Sequence, residues 1–151
     1  TNETLRETLS EWLAPATIGI RSWSQLQKID LYRILSDYLQ IKGCNLRMLE
    51  QLAPTHVAVP SGSKIKICYD AVQPYLRVRL QEVFGLKNTP AIAAGRVPLV
   101  LHLLSPAHRP VQVTQDLESF WNSSYALVRK DMRGRYPKHY WPENPLQAEP
   151  R

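Results

Sequence analysis

The order of hydrophobic periods along this 151-residue chain predicts an α+β fold. A helical lobe comes first, then a small antiparallel, OB-like sheet of about five strands, then a C-terminal helix with a basic tail. Three observations carry that prediction. Apolar residues recur at three- and four-residue steps up to Pro54, they alternate with polar ones after it, and the helical step returns at Asp116. The expected units are therefore a helical lobe over 1–53, a β unit over 54–115, and a helix with tail over 116–151, packed on the β unit.

In the lobe, Leu5, Leu9, Trp12 and Leu13 form one stripe that Pro15 closes. Ser22 or Ser24 then caps a second helix from about Gln25 to Lys42, with Leu31, Ile34, Leu35, Tyr38 and Ile41 on its apolar face and Gly43 at its end. A third helix runs from about Leu46 to Leu52. The aromatics of the lobe, at helical spacing, read as core.

After Pro54, His56 to Val59 predicts a strand, and Pro60-Ser61-Gly62-Ser63 is turn chemistry. Lys64 to Tyr69 places Ile65, Ile67 and Tyr69 on one face and Lys64, Lys66 and Cys68 on the other. Tyr75 to Leu80 repeats the alternation with Arg77 and Arg79 opposite Leu76, Val78 and Leu80. Paired antiparallel, the two strands form a patch of Lys64, Lys66, Arg77 and Arg79, which reads either as a phosphate-binding surface or as a plain solvated face. Gln81 to Leu86 predicts a helical turn ended by Gly85, Lys87 to Gly95 a loop, Val97 to Leu104 an interior strand, and Val111 to Val113 a strand pairing back. Short strands with a basic face suit an OB-like barrel, and an open α+β sheet gives the same pattern.

From Asp116, whose carboxylate suits a helix start, Leu117, Phe120, Trp121, Val128 and Met132 mark one helical face up to Gly134. The tail that follows interleaves Arg133, Arg135 and Lys138 with Tyr136, His139, Tyr140 and Trp141. Cations contact phosphates and aromatic faces stack on unpaired bases. The same rings also suit a latch folded back on the sheet.

Composition narrows the function classes. The net charge of +6 is uneven: residues 1–60 hold six basic and six acidic side chains, whereas 61–115 hold seven basic residues against Asp70 and Glu82. Such a field favours polyanions. The longest apolar run, Val97 to Leu104, is far below the ~20 residues of a membrane span, and the polar start lacks a signal peptide, so the expected location is cytoplasmic, away from membranes. Cys44 and Cys68 have no ligand spacing that suggests zinc or a disulfide framework. No phosphate loop, GxGxxG, HExxH, CxxC or GxSxG occurs, and the paper triad of Ser105, His102 and Asp116 lacks a nucleophile elbow. The chain is expected to bind and not to catalyse, with no catalytic residue, metal or cofactor of its own.

Several runs together carry a resemblance. GRVPLVLHLLSPAHRPVQVTQDLESFW from Gly95 to Trp121, then Tyr125, Val128-Arg129-Lys130 and RGRYPKH from Arg133 to His139, resemble the C-terminal region of the bacterial HrpB-type ATP-dependent helicases of the DEAH/RHA group. QEVFGL at Gln81 to Leu86 and WPENP at Trp141 to Pro145 are similar as well, so the likeness spans roughly residues 50 to 145. It implies a piece of a longer protein whose two RecA-like domains, absent here, use ATP and Mg to remodel RNA. The chain is then an accessory region whose partners are single-stranded RNA and the helicase core, or a docking module that touches no nucleic acid. The expected backbone contacts are Lys64, Lys66, Arg77, Arg79, Arg133, Arg135 and Lys138, and the expected stacking residues are Tyr136 and Trp141.

Overall fold

The structure, a computed structural model, describes residues 2–150, which divide into two compact units at Glu50/Gln51. The first unit is helical: α1 Asn2–Glu7, α2 Leu9–Trp12, α3 Ala14–Thr17, α4 Trp23–Leu26 and α5 Leu31–Ile41, with α6 Leu46–Leu52 at the division. Pro15 opens α3 where closure was expected, because a residue without an N–H fits the first turn of a helix. The helix expected over Gln25–Lys42 is two. Ser22 caps α4 by accepting from the Gln25 N–H, and Asp30 starts α5 afresh by accepting from the Arg33 N–H at 3.0 Å. No side chain described over 3–50 is buried: Trp12 and Tyr38 are half-buried, while Trp23 and Tyr32 are 71% and 72% exposed. The core expected from all the aromatics of the lobe is therefore partial. Trp23 stands on the four-residue α4 and Tyr32 lies off the Leu31, Ile34, Leu35, Tyr38 and Ile41 stripe of α5, so neither ring is on that apolar face.

The second unit is a five-stranded sheet with one face covered. Its strands are β1 His56–Ala58, β2 Lys64–Cys68, β3 Tyr75–Arg79, β6 Val100–Leu104 and β7 Pro110–Thr114, in the order β1-β2-β3-β6-β7. Three pairings are antiparallel and β3–β6 is parallel, so the chain crosses over between them, and β1 and β7 stand at the two ends of the ladder. A 3₁₀ turn, Leu80–Val83, begins that crossover, and Gly85 follows at φ +83. The expected loop over Lys87–Gly95 contains β4 Ala91–Ile92, which pairs with β5 Val97–Pro98 in a small hairpin. Its turn runs through positive φ at Ala93, Ala94 and Gly95, and the Ala93 N–H donates to the Leu52 carbonyl at 2.8 Å. L-residues resist that region, which is why two alanines carry no sequence signal for it.

The helix expected from Asp116 is interrupted. Asp116 caps α7 Leu117–Ser119 by accepting from the Ser119 N–H, a wide π turn covers Phe120–Ser124, and α8 runs over Tyr125–Arg135. Leu117, Trp121 and Tyr125 are four apart twice running, which overshoots a 3.6-residue period at each step. The widened turn absorbs the overshoot and keeps all three in the core. Gly134 does not end the helix, which continues to Arg135 and stops at Tyr136, before Pro137.

These residues form one core. Leu76 and Val78 of β3, Leu101 and Leu103 of β6, and Val83, Phe84 and Leu117 are all essentially inaccessible, and Phe120, Trp121, Tyr125 and Met132 close over them. Ring centroids of Trp121 and Tyr125 are 5.3 Å apart and of Phe84 and Tyr125 6.2 Å, in edge-on geometry that aromatic quadrupoles favour.

Candidate nucleic-acid interface

Strand alternation leaves the other face of the sheet open. Inward Ile67, Leu76 and Val78 alternate with outward Lys64, Lys66, Tyr75, Arg77 and Arg79. Lys66 lies opposite His56, Arg77 opposite His102, and His102 opposite Val113. Continuing the β2–β3 register past Ile67↔Leu76 brings Lys66 level with Arg77. One row thus crosses all five strands: His56, Lys66, Arg77, His102, Val113. Lys64, Lys66 and Arg77 are exposed, and none of them enters an ion pair among the described residues.

Arg79 belongs to a different local structure. Its Nε donates to Glu82 Oε2 at 3.2 Å, and its backbone N–H donates to the same oxygen. Glu82 is only 6% exposed. Burial works to raise its carboxyl pKa, but hydrogen bonds from Arg79 and Ser63 together outweigh it and hold the group below the usual carboxylate range. Arg79 is therefore first the counter-charge of a buried carboxylate, and only its outer side remains for a ligand.

Beside the basic row, Tyr75 and His102 stack with centroids 4.7 Å apart and planes 25° from parallel. They wall an open concavity of about 580 Å³ with Val100 and the Ala71, Val72 and Gln73 loop between β2 and β3. The Cys68 thiol, some loss of water and the Asp70 carboxylate hold the Tyr75 phenol above its usual range.

The tail folds back as a latch. Trp141 is 6% exposed and donates its indole N–H to the Tyr136 carbonyl at 3.0 Å. Tyr125 Oη donates to the Pro142 carbonyl at 2.8 Å, and the Gly85 N–H to the Pro145 carbonyl at 2.8 Å. Arg129 donates to the Trp141 carbonyl and to Glu143 Oε1 at 3.0 Å. The expectation that Trp141 stacks on a base is corrected by this burial: its ring lies among core side chains and presents no free face. Tyr136 is half-buried, with its hydroxyl 3.3 Å from Ser105 Oγ and its ring edge-on to His139. Arg135 pairs with Asp131 at 2.9 Å, while Arg133 and Lys138 are exposed.

The expected site residues thus form two groups, not one surface. Lys64, Lys66 and Arg77, with Arg79 at the margin, share the open sheet face. Arg133 and Arg135 end α8, Tyr136 and Lys138 follow it, and α8 covers the opposite face through Tyr125 and Met132. Sequence reasoning did not single out His56, Tyr75 and His102, which share this sheet face. His102 did carry a signal, as one polar residue at the centre of the apolar Val97 to Leu104 run, but its alignment with Arg77 depends on the β3–β6 crossover. Among the described residues, no group of three or more His, Cys, Asp or Glu side chains is placed to hold a metal ion, and no helix is long and apolar enough to cross a membrane.

Comparison with known proteins extends these observations. A family model described as ATP-dependent helicase C-terminal (HrpB_C) matches residues 12–145. The chain is 47% identical over 150 residues to the ATP-dependent RNA helicase HrpB of Escherichia coli strain K12, covering 99% of this chain and 18% of that protein. A crystal structure of the E. coli DExH-box NTPase HrpB superposes with a TM-score of 0.84 at 44% identity, over 99% of this chain and 18% of that one. A second, of the E. coli DEAH/RHA helicase HrpB, gives 0.66 at 44% identity over 93% of this chain and 18% of that one. The chain spans about 18% of the length of these relatives.

Proposed function

The chain belongs to the HrpB-type ATP-dependent helicase C-terminal family, and from that premise we propose that it is a non-catalytic accessory region whose open sheet face contacts single-stranded RNA handled by the rest of a helicase. ATP and Mg are the business of RecA-like domains elsewhere in such a protein, and this region supplies electrostatic grip on the strand. The observation that carries the proposal is the run of Lys64, Lys66 and Arg77 over one open sheet face, exposed and without ion pairs. Cations left unneutralised on a pleated surface are what a phosphate backbone requires. Charge distribution supports the assignment: residues 51–151 hold thirteen basic and seven acidic side chains, and residues 1–50 hold six of each. The whole excess therefore resides in the unit that carries the sheet.

A second reading assigns docking onto the helicase core to the first unit, where Ile18 and Ile41 are 84% and 83% exposed. The same experiment separates the two. Anisotropy of a labelled single-stranded RNA is measured with the full chain over a series of salt concentrations, beside a Lys64→Gln/Lys66→Gln/Arg77→Gln variant. Binding should weaken with salt, and the variant should bind more weakly with a log-log salt slope smaller by about 2, at ~0.7 per phosphate contact on a single strand. Absence of binding by the unaltered chain at low salt rejects the RNA reading and leaves docking as the role of this region.

A further inference from the structure

Cations alone hold a backbone and ignore the bases. The open face also carries an aromatic feature that the charge argument does not use: the Tyr75–His102 stack, with centroids 4.7 Å apart, and the concavity of about 580 Å³ beside it. That volume lies in the range of small-molecule pockets, roughly 300–1,000 Å³. We propose that the Tyr75–His102 pair and its adjoining concavity form a subsite for one unpaired nucleobase, with Lys66 and Arg77 holding the neighbouring phosphates. This rests on the RNA reading and deepens it, by assigning the strand an unstacked base at a defined place.

Four features point the same way. Arg77 follows Tyr75 by two residues on the same strand face, about 7 Å along it at the usual rise, and is level with His102 across the parallel pairing. Base and phosphate recognition are thus adjacent on one surface. The lining is mainly apolar, from Ala71, Val72 and Val100, which suits the flat faces of a base and excludes its charged backbone. Gln73 adds an amide to that lining. Gln73 Oε1 accepts from Gln115 Nε2 at 2.6 Å, which fixes the amide and leaves its NH₂ to donate to a base carbonyl or ring nitrogen. Finally, Tyr75 stands beside its cross-strand partner Cys68 and stacks on His102, so little rotamer freedom is lost when a base binds.

The test uses the full chain and a short single-stranded RNA carrying one 2-aminopurine, whose fluorescence falls when it stacks, together with the same strand made abasic at that position. The unaltered chain should quench the probe. A Tyr75→Ala/His102→Ala variant should lose roughly 5- to 150-fold in affinity, the range for one base–aromatic stack, with an unchanged salt slope. Tyr75→Phe, which keeps the ring, should bind as the unaltered chain does. Should the double variant fail to fold by circular dichroism, Tyr75→Leu keeps apolar bulk without a π face and should show the loss. Equal affinity of the unaltered chain for the base-bearing and abasic strands overturns the subsite and leaves the backbone contact standing. No binding of either strand at low salt overturns both.

Discussion

The two compact units differ in what they bury. Over residues 3–50 no side chain is buried, and the ties are few: helix caps at Ser22 and Asp30, the Trp12 indole on the Leu5 carbonyl, and a surface cluster in which Glu11 meets half-buried Tyr38 and exposed Lys42. Over residues 51–150 the sheet and α8 share a core in which Leu76, Leu101, Phe84 and Leu117 reach zero exposure. Secondary structure is plentiful in both, so helix content is a poor guide to where stability resides. Burial of apolar surface, at ~25 cal/mol per Å², is the larger contribution, and it is concentrated in the second unit.

That contrast can be broken most directly at Phe84. Replacing it by alanine removes the ring that joins Trp121 and Tyr125, and should cost about 3–5 kcal/mol of the second unit's stability, read as a fall in denaturant midpoint. A loss below about 1 kcal/mol would show that this core tolerates a cavity and that the contrast between units is overstated.

Glu82 sharpens the comparison through charge. Glu82→Gln leaves the Arg79 guanidinium without its carboxylate and should cost about 1–3 kcal/mol near neutral pH. Because the folded pKa lies below the unfolded one, the contribution of this carboxylate is fully present above the unfolded carboxylate range. It is lost as pH falls through the depressed folded value. Unfolding free energies measured down an acid series should therefore converge for the parent and the variant. Parallel curves at low pH would mean that Glu82 does not titrate differently in the two states.

The smallest effect belongs to the first unit. Asp30→Ala removes the cap of α5 and should cost about 1 kcal/mol, confined to residues 1–50, as followed by amide hydrogen exchange of the two units. Equal loss of protection across the second unit would show that the units unfold together.

Much of this architecture was legible in the chain. Alternation over Lys64 to Cys68 and Tyr75 to Arg79 located the paired strands and the faces of their basic residues, because a strand facing one core has a strict two-residue period. The Asp116 cap and the inward side chains Leu117, Phe120, Trp121 and Met132 were equally readable, but the π turn over Phe120–Ser124 that interrupts their helix was not. The β4–β5 hairpin was not, since its turn forces Ala93 and Ala94 into a backbone region that alanine disfavours and that tertiary contact must enforce. Nor was the Arg77–His102 alignment, which arises from a parallel pairing between residues 25 apart. Trp141 shows the same limit at the site. A tryptophan among cations reads equally as a stacking platform or as a core residue, and only the fold places its indole N–H on the Tyr136 carbonyl.

The latch also bears on the order in which the second unit can close. The Gly85 N–H finds its acceptor at Pro145, and the Gln81 amide reaches the Tyr140 carbonyl across 59 residues. Until Tyr140 to Pro145 have been synthesised, the Leu80–Gly85 crossover therefore lacks two of its hydrogen-bond acceptors. Contacts between residues about 60 apart pay loop-closure entropy before they form, so this crossover is expected to be among the last parts of the second unit to become fixed.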